Sequence, residues 1–253
     1  MTTDSCVSSK RKAFTLAETL ITLSIIGVIA AMTVPTLMSN IDKQTYVTGA
    51  KKAYSQLQNT TKMLPISLGC SNGDFSCLPS INVDDYVKSE GELMEALAAQ
   101  MKTVKQCKNS SGCGPYEMSL SLSGPVESDL LFSTAFVTSD NMAYAMIYQP
   151  HLNDYLESTD PIILVDVNNT KGPNRLGRDI FAFGIAKYSK NDVPAGTVLP
   201  LGSKIYAKYI SQRGKTWDKD RLYGCANGRL RESAKNLGTF CTGRVLEEGA
   251  MNY

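Results

Sequence analysis

Residues Lys10 to Leu37 read K-R-K-A-F-T-L-A-E-T-L-I-T-L-S-I-I-G-V-I-A-A-M-T-V-P-T-L. From Phe14 to Leu37 that is 24 residues carrying one charge, Glu18. As a helix this stretch covers about 36 Å, enough to cross a ~30 Å hydrocarbon core with some tilt. Lys10, Arg11 and Lys12 stand just before it. Positive charge on that side holds a short N-terminus in the cytoplasm and sends the remainder outward. The expected topology is single-pass, N-terminus in and C-terminus out, in the cytoplasmic membrane.

The rest of the chain is of a different kind. The 253 residues are 43% hydrophobic and 20% charged, an ordinary globular composition that excludes disorder, collagen-like repeats and a polytopic membrane protein. Basic and acidic residues number 26 and 24, for a formal charge of +2, so no global basic footprint points to nucleic acid. His151 is the one histidine, which rules out His-rich zinc sites and weakens the case for general-base chemistry. Its nearest acidic partner in sequence is Asp154. No G-x-S-x-G, P-loop or Rossmann fingerprint occurs, and no catalytic residue or cofactor is expected.

Three readings compete for the apolar stretch. A secretory signal peptide would use Val28-Ile29-Ala30 as its small-residue cleavage site, but Glu18 would then fall inside the apolar run. A plain membrane anchor explains neither Glu18 nor its position. The third reading uses both. K-R-K-A followed by F-T-L-A-E-T-L-I resembles the prepilin-type signal of type IV pilins and type II secretion pseudopilins. The resemblance covers about the first fifty residues. It implies cleavage between Ala13 and Phe14 by a prepilin peptidase, N-methylation of Phe14, and retention of the apolar helix. Ala13 stands where the family prefers glycine. Glu18 becomes the fifth residue of the mature chain, where the family places its glutamate, and Pro35 falls where many pilins carry a helix-kinking proline. The partners implied are copies of the chain or other pilin-like subunits, the peptidase, an inner-membrane assembly platform with its motor, and membrane lipid.

Physical chemistry gives Glu18 a task. An ionised carboxylate near the bilayer interior costs about 2.5–3.5 kcal/mol on insertion scales and normally has a partner. The α-amine of Phe14, exposed by cleavage on a neighbouring subunit, would neutralise it as helices enter a filament. The competing reading is a carboxylate that snorkels to the headgroups.

Beyond the apolar stretch, Val47, Ala50, Tyr54, Leu57, Thr61 and Leu64 step by three and four residues, and Pro65 stops the run. The expected organisation is a leader over 1–13, a membrane and polymerisation helix over 14–38, and an amphipathic continuation over 39–64. A disulfide-containing domain then fills 65–253. Pro35 should bend or locally open the helix.

Seven cysteines partition across this topology, with Cys6 in the leader. The other six lie outside the membrane, where proximity favours Cys70–Cys77, Cys107–Cys113 and Cys225–Cys241. Zinc is the alternative, but no C-x-x-C pair appears. Ser89 to Cys107 reads as a helix with capping-box spacing at Ser89 and Glu92 and a buried face of Leu93, Leu97, Met101 and Val104. Gly112, Gly114 and Pro115 close that region. Leu130–Thr138 and Met142–Gln149, separated by Ser139-Asp140-Asn141, read as a hairpin, with further strands at Ile162–Val167 and Ile180–Ile185. The expected fold class is α+β, the long helix packed on an antiparallel sheet.

Two later stretches carry possible chemistry. Asp166 to Phe183 reads D-V-N-N-T-K-G-P-N-R-L-G-R-D-I-F-A-F and resembles a loop of prepilin-like proteins in secretion systems. Its oxygen-bearing Asp166, Asn168, Thr170 and Asp179 suit calcium, a hard cation taking 6–8 oxygens. Lys171 replaces the EF-hand glycine, and Asx-turn chemistry around Gly172-Pro173-Asn174 explains the same residues without metal. From Lys204 to Lys235 there are nine basic and three acidic residues. Lys204, Lys208, Arg213, Lys215, Arg221, Arg229 and Arg231 alternate there with Tyr206, Tyr209, Trp217 and Tyr223. Phosphate neutralisation plus aromatic stacking would suit single-stranded DNA, as in a competence-type minor pilin. A solvated face or intersubunit salt bridges explains the same charges. Cleavage before Phe14 removes three basic side chains and one acidic one, leaving 23 of each and no net charge, which argues against DNA as the general partner.

The expected function is therefore structural: a pilin-like subunit of a type IV pilus or type II secretion pseudopilus. The alternatives are a DNA- or surface-binding minor pilin and a non-polymerising anchored ectodomain.

Overall fold

The computed structural model describes residues 15–70, 75, 86–108, 113, 134–147, 161–212, 214–219, 224–225 and 238–253. Helix α1 spans Leu16–Thr61. The short helix α2 (Leu64–Ser67) follows, then α3 (Tyr86–Gln100). Six strands come next: β1 (Thr103–Lys108), β2 (Thr134–Thr138), β3 (Ala143–Ile147), β4 (Ile162–Asp166), β5 (Ile180–Ile185) and β6 (Val198–Pro200). Helices α4 (Lys204–Tyr209) and α5 (Cys241–Glu248) close the chain. The architecture is α+β. Two units divide it, Met1–Asp42 and Lys43–Tyr253.

In the second unit the strands form one sheet in sequence order, β1-β2-β3-β4-β5-β6, each pair antiparallel. Such a meander needs only short connections, and the β2–β3 turn at Ser139-Asp140-Asn141 is the hairpin turn expected from sequence. Strands β4 and β5 are buried along their whole length. Their apolar runs are continuous because both faces are covered. Ile163, Val165, Phe181 and Phe183 face the core shared with α1 and α3, while Ile162, Leu164, Ile180 and Ala182 pack with Tyr206, Tyr209 and Phe240.

The part of α1 in this unit buries Tyr46, Val47, Ala50, Ala53, Leu57, Thr60 and Thr61. Steps of three and four put these residues on one face, and Tyr54 stacks near Phe183 with ring centroids 6.3 Å apart. Gly49 lets helix and sheet meet closely, since a Cβ there would lie 2.7 Å from Val167 Cβ. Lys52 and Gln56 then clamp the hairpin turn, both reaching Asp140 Oδ2, at 2.7 and 2.9 Å. Tyr144 donates its hydroxyl to Gln56 Oε1 at 2.7 Å.

Two helical expectations are corrected. The helix expected over Ser89–Cys107 starts earlier and stops at Gln100, so Ser89 is an interior position rather than a cap. Leu93 and Leu97 are buried as expected, but Val104 is 67% exposed and belongs to β1, which pairs with β2. Thr103 explains the break. Its hydroxyl donates to the Ala98 carbonyl at 2.9 Å, filling an orphan acceptor at the helix end, and β-branched Thr103-Val104 favours extended backbone. Likewise α1 ends at Thr61 instead of Leu64, and Pro65 sits in the first turn of α2, where a missing N–H costs nothing.

Candidate functional site

In the first unit α1 begins at Leu16, with Thr15 just before it. Thr15 and Glu18 form a reciprocal cap. The Thr15 backbone N–H donates to Glu18 Oε2 at 2.8 Å and the Thr15 hydroxyl donates to the same oxygen at 2.9 Å. The Glu18 N–H donates back to Thr15 Oγ1 at 3.2 Å. This is a T-x-x-E capping box, which satisfies donors at the helix start and places a carboxylate against the positive end of the helix dipole. Glu18 therefore has a partner within its own chain. The T-x-x-E spacing in the sequence is the signal of this device. Thr15 lies after the expected cut, so the cap is compatible with a shortened chain. Ala13 and Phe14 lie outside the described residues.

Along the same half, Leu20, Ile21, Leu23, Ile25, Ile26, Val28, Ile29, Met32 and Leu37 are each more than half exposed in the isolated chain. The polar side chains among them turn inward on the helix itself. Hydroxyls of Thr19, Thr22, Ser24 and Thr33 donate to carbonyls of Leu16, Glu18, Leu20 and Ile29 at 2.8–3.0 Å. Such back-bonding leaves a surface with almost no unmet polar groups, as a dry environment requires. Helix α1 runs through Pro35 without interruption, although that residue has no N–H to offer the carbonyl of Ala31. Among the described residues, α1 is the one helix long and apolar enough to cross a membrane by length and composition.

Residues 8–34 match the family model described as the prokaryotic N-terminal methylation motif. This is the prepilin-type cleavage and methylation signal of type IV pilin-like proteins, and it indicates a precursor that prepilin peptidase processes. A protein anchored in the membrane through a single apolar N-terminal helix fits both the motif and α1. No curated protein and no solved structure matches the chain.

In the second unit, disulfides join Cys107 to Cys113 and Cys225 to Cys241, with Cα atoms 5.8 and 4.9 Å apart. Cys70 is also disulfide-bonded, and Cys77 lies outside the described residues. The Cys225–Cys241 bridge ties the start of α5 to Cys225, and Cys241 packs closely on Gly177 of the β4–β5 loop. Gly177 there has φ +83, and a Cβ on it would sit 2.9 Å from Cys241 Sγ. Tyr253 donates its hydroxyl to the Gly177 carbonyl. Arg244 fits between the rings of Trp217 and Tyr253, 4.8 and 5.2 Å from their centroids, and donates to the Cys225 carbonyl at 2.6 Å.

Part of the basic-aromatic stretch falls among the described residues. Tyr206 and Tyr209 are each 3% exposed, part of the core under the sheet and out of reach of a base. Trp217 lies beneath Arg244 and donates its indole N–H to Glu247 at 3.1 Å. Lys208 pairs with Asp192 at 3.4 Å. Lys204 is exposed at the start of α4, and Lys215 is partly covered. Arg213, Arg221, Tyr223, Arg229 and Arg231, like His151 and Asp154, lie outside the described residues. The sequence shows aromatic residues interleaved with the basic ones but not which of them face inward.

The β4–β5 loop holds the calcium candidates. Asp166 is 2% exposed and Asp179 fully buried. The Asn168 N–H donates to Asp166 Oδ1 at 3.0 Å, while N–H groups of Asn174 and Arg175 donate to Asp179 at 2.8 and 2.7 Å. Burial pushes the Asp166 carboxyl up to about 8; the Asn168 N–H opposes this and the Asp179 charge adds to it. Burial also raises Asp179, against its backbone donors. Four oxygens in this loop are buried with no hydrogen-bond partner: Asp166 Oδ2 and the Oδ1 atoms of Asn168, Asn169 and Asn174. Thr170 is exposed and contributes none of them. Asn169 and Asn174, absent from the expected set, supply two.

Proposed function

We propose that the chain is a structural subunit of a filament. After cleavage between Ala13 and Phe14 and methylation of Phe14, it waits in the cytoplasmic membrane, N-terminus inside and the Lys43–Tyr253 unit outside. It then assembles with copies of itself or other pilin-like subunits into a type IV pilus or type II secretion pseudopilus. The observation that carries this reading is the apolar half of α1, exposed on all sides and self-satisfied in its hydroxyls, with its one carboxylate held at the first turn. Lipid covers such a surface before assembly, and packed helices cover it afterwards. Glu18 keeps one oxygen in the Thr15 cap and offers the other to the amine of a neighbouring Phe14. An assembly platform and its motor supply the energy.

Mass spectrometry of the mature N-terminus is the test. N-methylated phenylalanine at position 14 is the expected product. A mature chain beginning near Ala31 would replace this reading with a secreted protein, and an intact Met1 would leave a tethered ectodomain.

A further inference from the structure

We propose that the cleft between α1, the turn after α3 and the β2–β3 turn binds an acidic saccharide, held by Lys52, Asn59, Lys102 and Ser139. The proposal goes beyond the filament reading, because the cleft lies wholly within the Lys43–Tyr253 unit.

The cleft has a volume of about 420 Å³, within the ~300–1,000 Å³ of small-molecule sites. Lys52, Gln56 and Asn59 line it from α1, Lys102 from the turn after α3, and Ser139 and Asp140 from the hairpin. One wall is held rigid. Both oxygens of Asp140 are engaged inside the protein, Oδ1 by the Thr138 hydroxyl and Oδ2 by Lys52 and Gln56 at 2.7 and 2.9 Å. Gln56 is fixed in turn by the Tyr144 hydroxyl, which donates to its Oε1 at 2.7 Å.

The acceptors of that wall are saturated, while the donors facing it are not. The Lys52 ammonium has three N–H groups and one contact, to Asp140. Asn59, Lys102 and Ser139 are exposed, and among the described residues their side chains have no hydrogen-bond or ion-pair partner. Hydrogen bonds and the Lys52 charge keep Asp140 ionised, so two ammonium groups face one carboxylate and the cleft stays net positive. Such a site suits a ligand rich in acceptors that also carries an anion.

Other anions fit less well. Main-chain groups around the cleft are already paired: the N–H groups of Ser139, Thr103 and Asn141 donate to the carbonyls of Lys102, Met101 and Thr138 at 2.8, 2.7 and 2.9 Å. A peptide therefore finds no backbone there to pair with. Among the described residues no aromatic ring lines the cleft, so a nucleobase has nothing to stack on. Inorganic phosphate would leave most of the volume empty. A sugar acid uses all of it, with its carboxylate on Lys102 and Lys52, its hydroxyls on Asn59 and Ser139, and an apolar ring face on Met101.

The test is isothermal titration calorimetry of the full chain in polyoxyethylene micelles, which carry neither sugar nor charge. Digalacturonate and sialyllactose are the probes. At least one of them is expected to bind at one site per chain with Kd of about 1 mM or tighter, and to weaken as salt screens the lysines. Lys102→Glu and Asn59→Ala alter exposed side chains, and an unchanged unfolding midpoint would show that the fold is kept. Lys102→Glu should weaken binding at least about tenfold and Asn59→Ala about threefold. Lys62→Glu, the same charge reversal outside the cleft, should bind like the parent. The proposal fails if the folded parent binds neither probe, or if the neutral counterparts, digalacturonate dimethyl ester and lactose, bind equally well. It also fails if inorganic phosphate binds as tightly, or if Lys102→Glu and Lys62→Glu weaken binding alike. Filament formation plays no part in these readouts, so the two readings fail separately.

Discussion

Helix α1 lives in two environments. Up to Asp42 its large apolar residues are exposed, whereas from Tyr46 onward one face is buried against sheet and helix. The first half spreads apolar residues all round and bonds its hydroxyls to its own carbonyls. The second half confines them to a stripe and sends polar side chains out to partners, as Lys52 and Gln56 do to Asp140. A helix apolar all round needs lipid or other helices, while a striped one is satisfied by its own domain. One element thus carries both the surface that the proposed filament would use and part of a folding core, and mutations in the halves should separate the two roles.

The largest effect is expected at Glu18. Glu18→Val removes both the charge and the cap, and should leave membrane insertion intact while abolishing incorporation into filaments. Glu18→Gln separates the two, because glutamine still serves a capping box but carries no charge. If neutralisation drives assembly, the glutamine variant also fails to incorporate, as read by shearing and immunoblotting of filaments. Normal assembly of Glu18→Gln would assign the residue to capping alone. Thr15→Ala, which costs a cap about 1 kcal/mol, should reduce filament yield only modestly.

In the buried half the readout changes from assembly to stability. Leu57 is fully buried, so Leu57→Ala is expected to cost about 2–5 kcal/mol in unfolding followed by the fluorescence of Trp217, the single tryptophan. Leu23→Ala, at a 65% exposed position, should change the same transition by less than about 0.5 kcal/mol. Equal losses at both sites would erase the distinction between the halves. Opening the Cys225–Cys241 bridge, which closes 16 residues, by the double change to serine should cost about 3 kcal/mol.

How much of this was visible in sequence follows from the kind of signal each element carries. Strands β4 and β5 and the β2–β3 hairpin show as apolar runs between turn residues, and the structure places them within a residue or a few of those runs. Strand β1 was hidden because Val104 lies three residues after Met101, continuing a helical rhythm by coincidence on an exposed edge. Strand β6 has three residues, too few for any period. The Thr15–Glu18 cap was legible in its spacing. The orphaned oxygens of Asn169 and Asn174 were not, because burial is a property of the folded loop. For the same reason Tyr206 and Tyr209 passed for surface aromatics.

The smallest expected effect probes the seam where the buried half of α1 grips the hairpin. Partial burial works against the charge of Asp140, but hydrogen bonds from Lys52, Thr138 and Gln56, with the Lys52 charge, outweigh it and hold the carboxyl down at about 2. A carboxyl depressed in the folded state adds stability above its unfolded pKa, and that stability is lost as pH falls through the folded value. The window therefore runs from about pH 4 down to about pH 2. Lys52 is half exposed, so solvent screening reduces the contribution to about 1 kcal/mol. Asp140→Asn should unfold more easily than the parent at pH 7 by that margin, and the gap should close as the parent's carboxylate is protonated near pH 2. A gap that stays constant across the acid range would mean that shape and neutral hydrogen bonds, rather than charge, hold the hairpin turn to the helix.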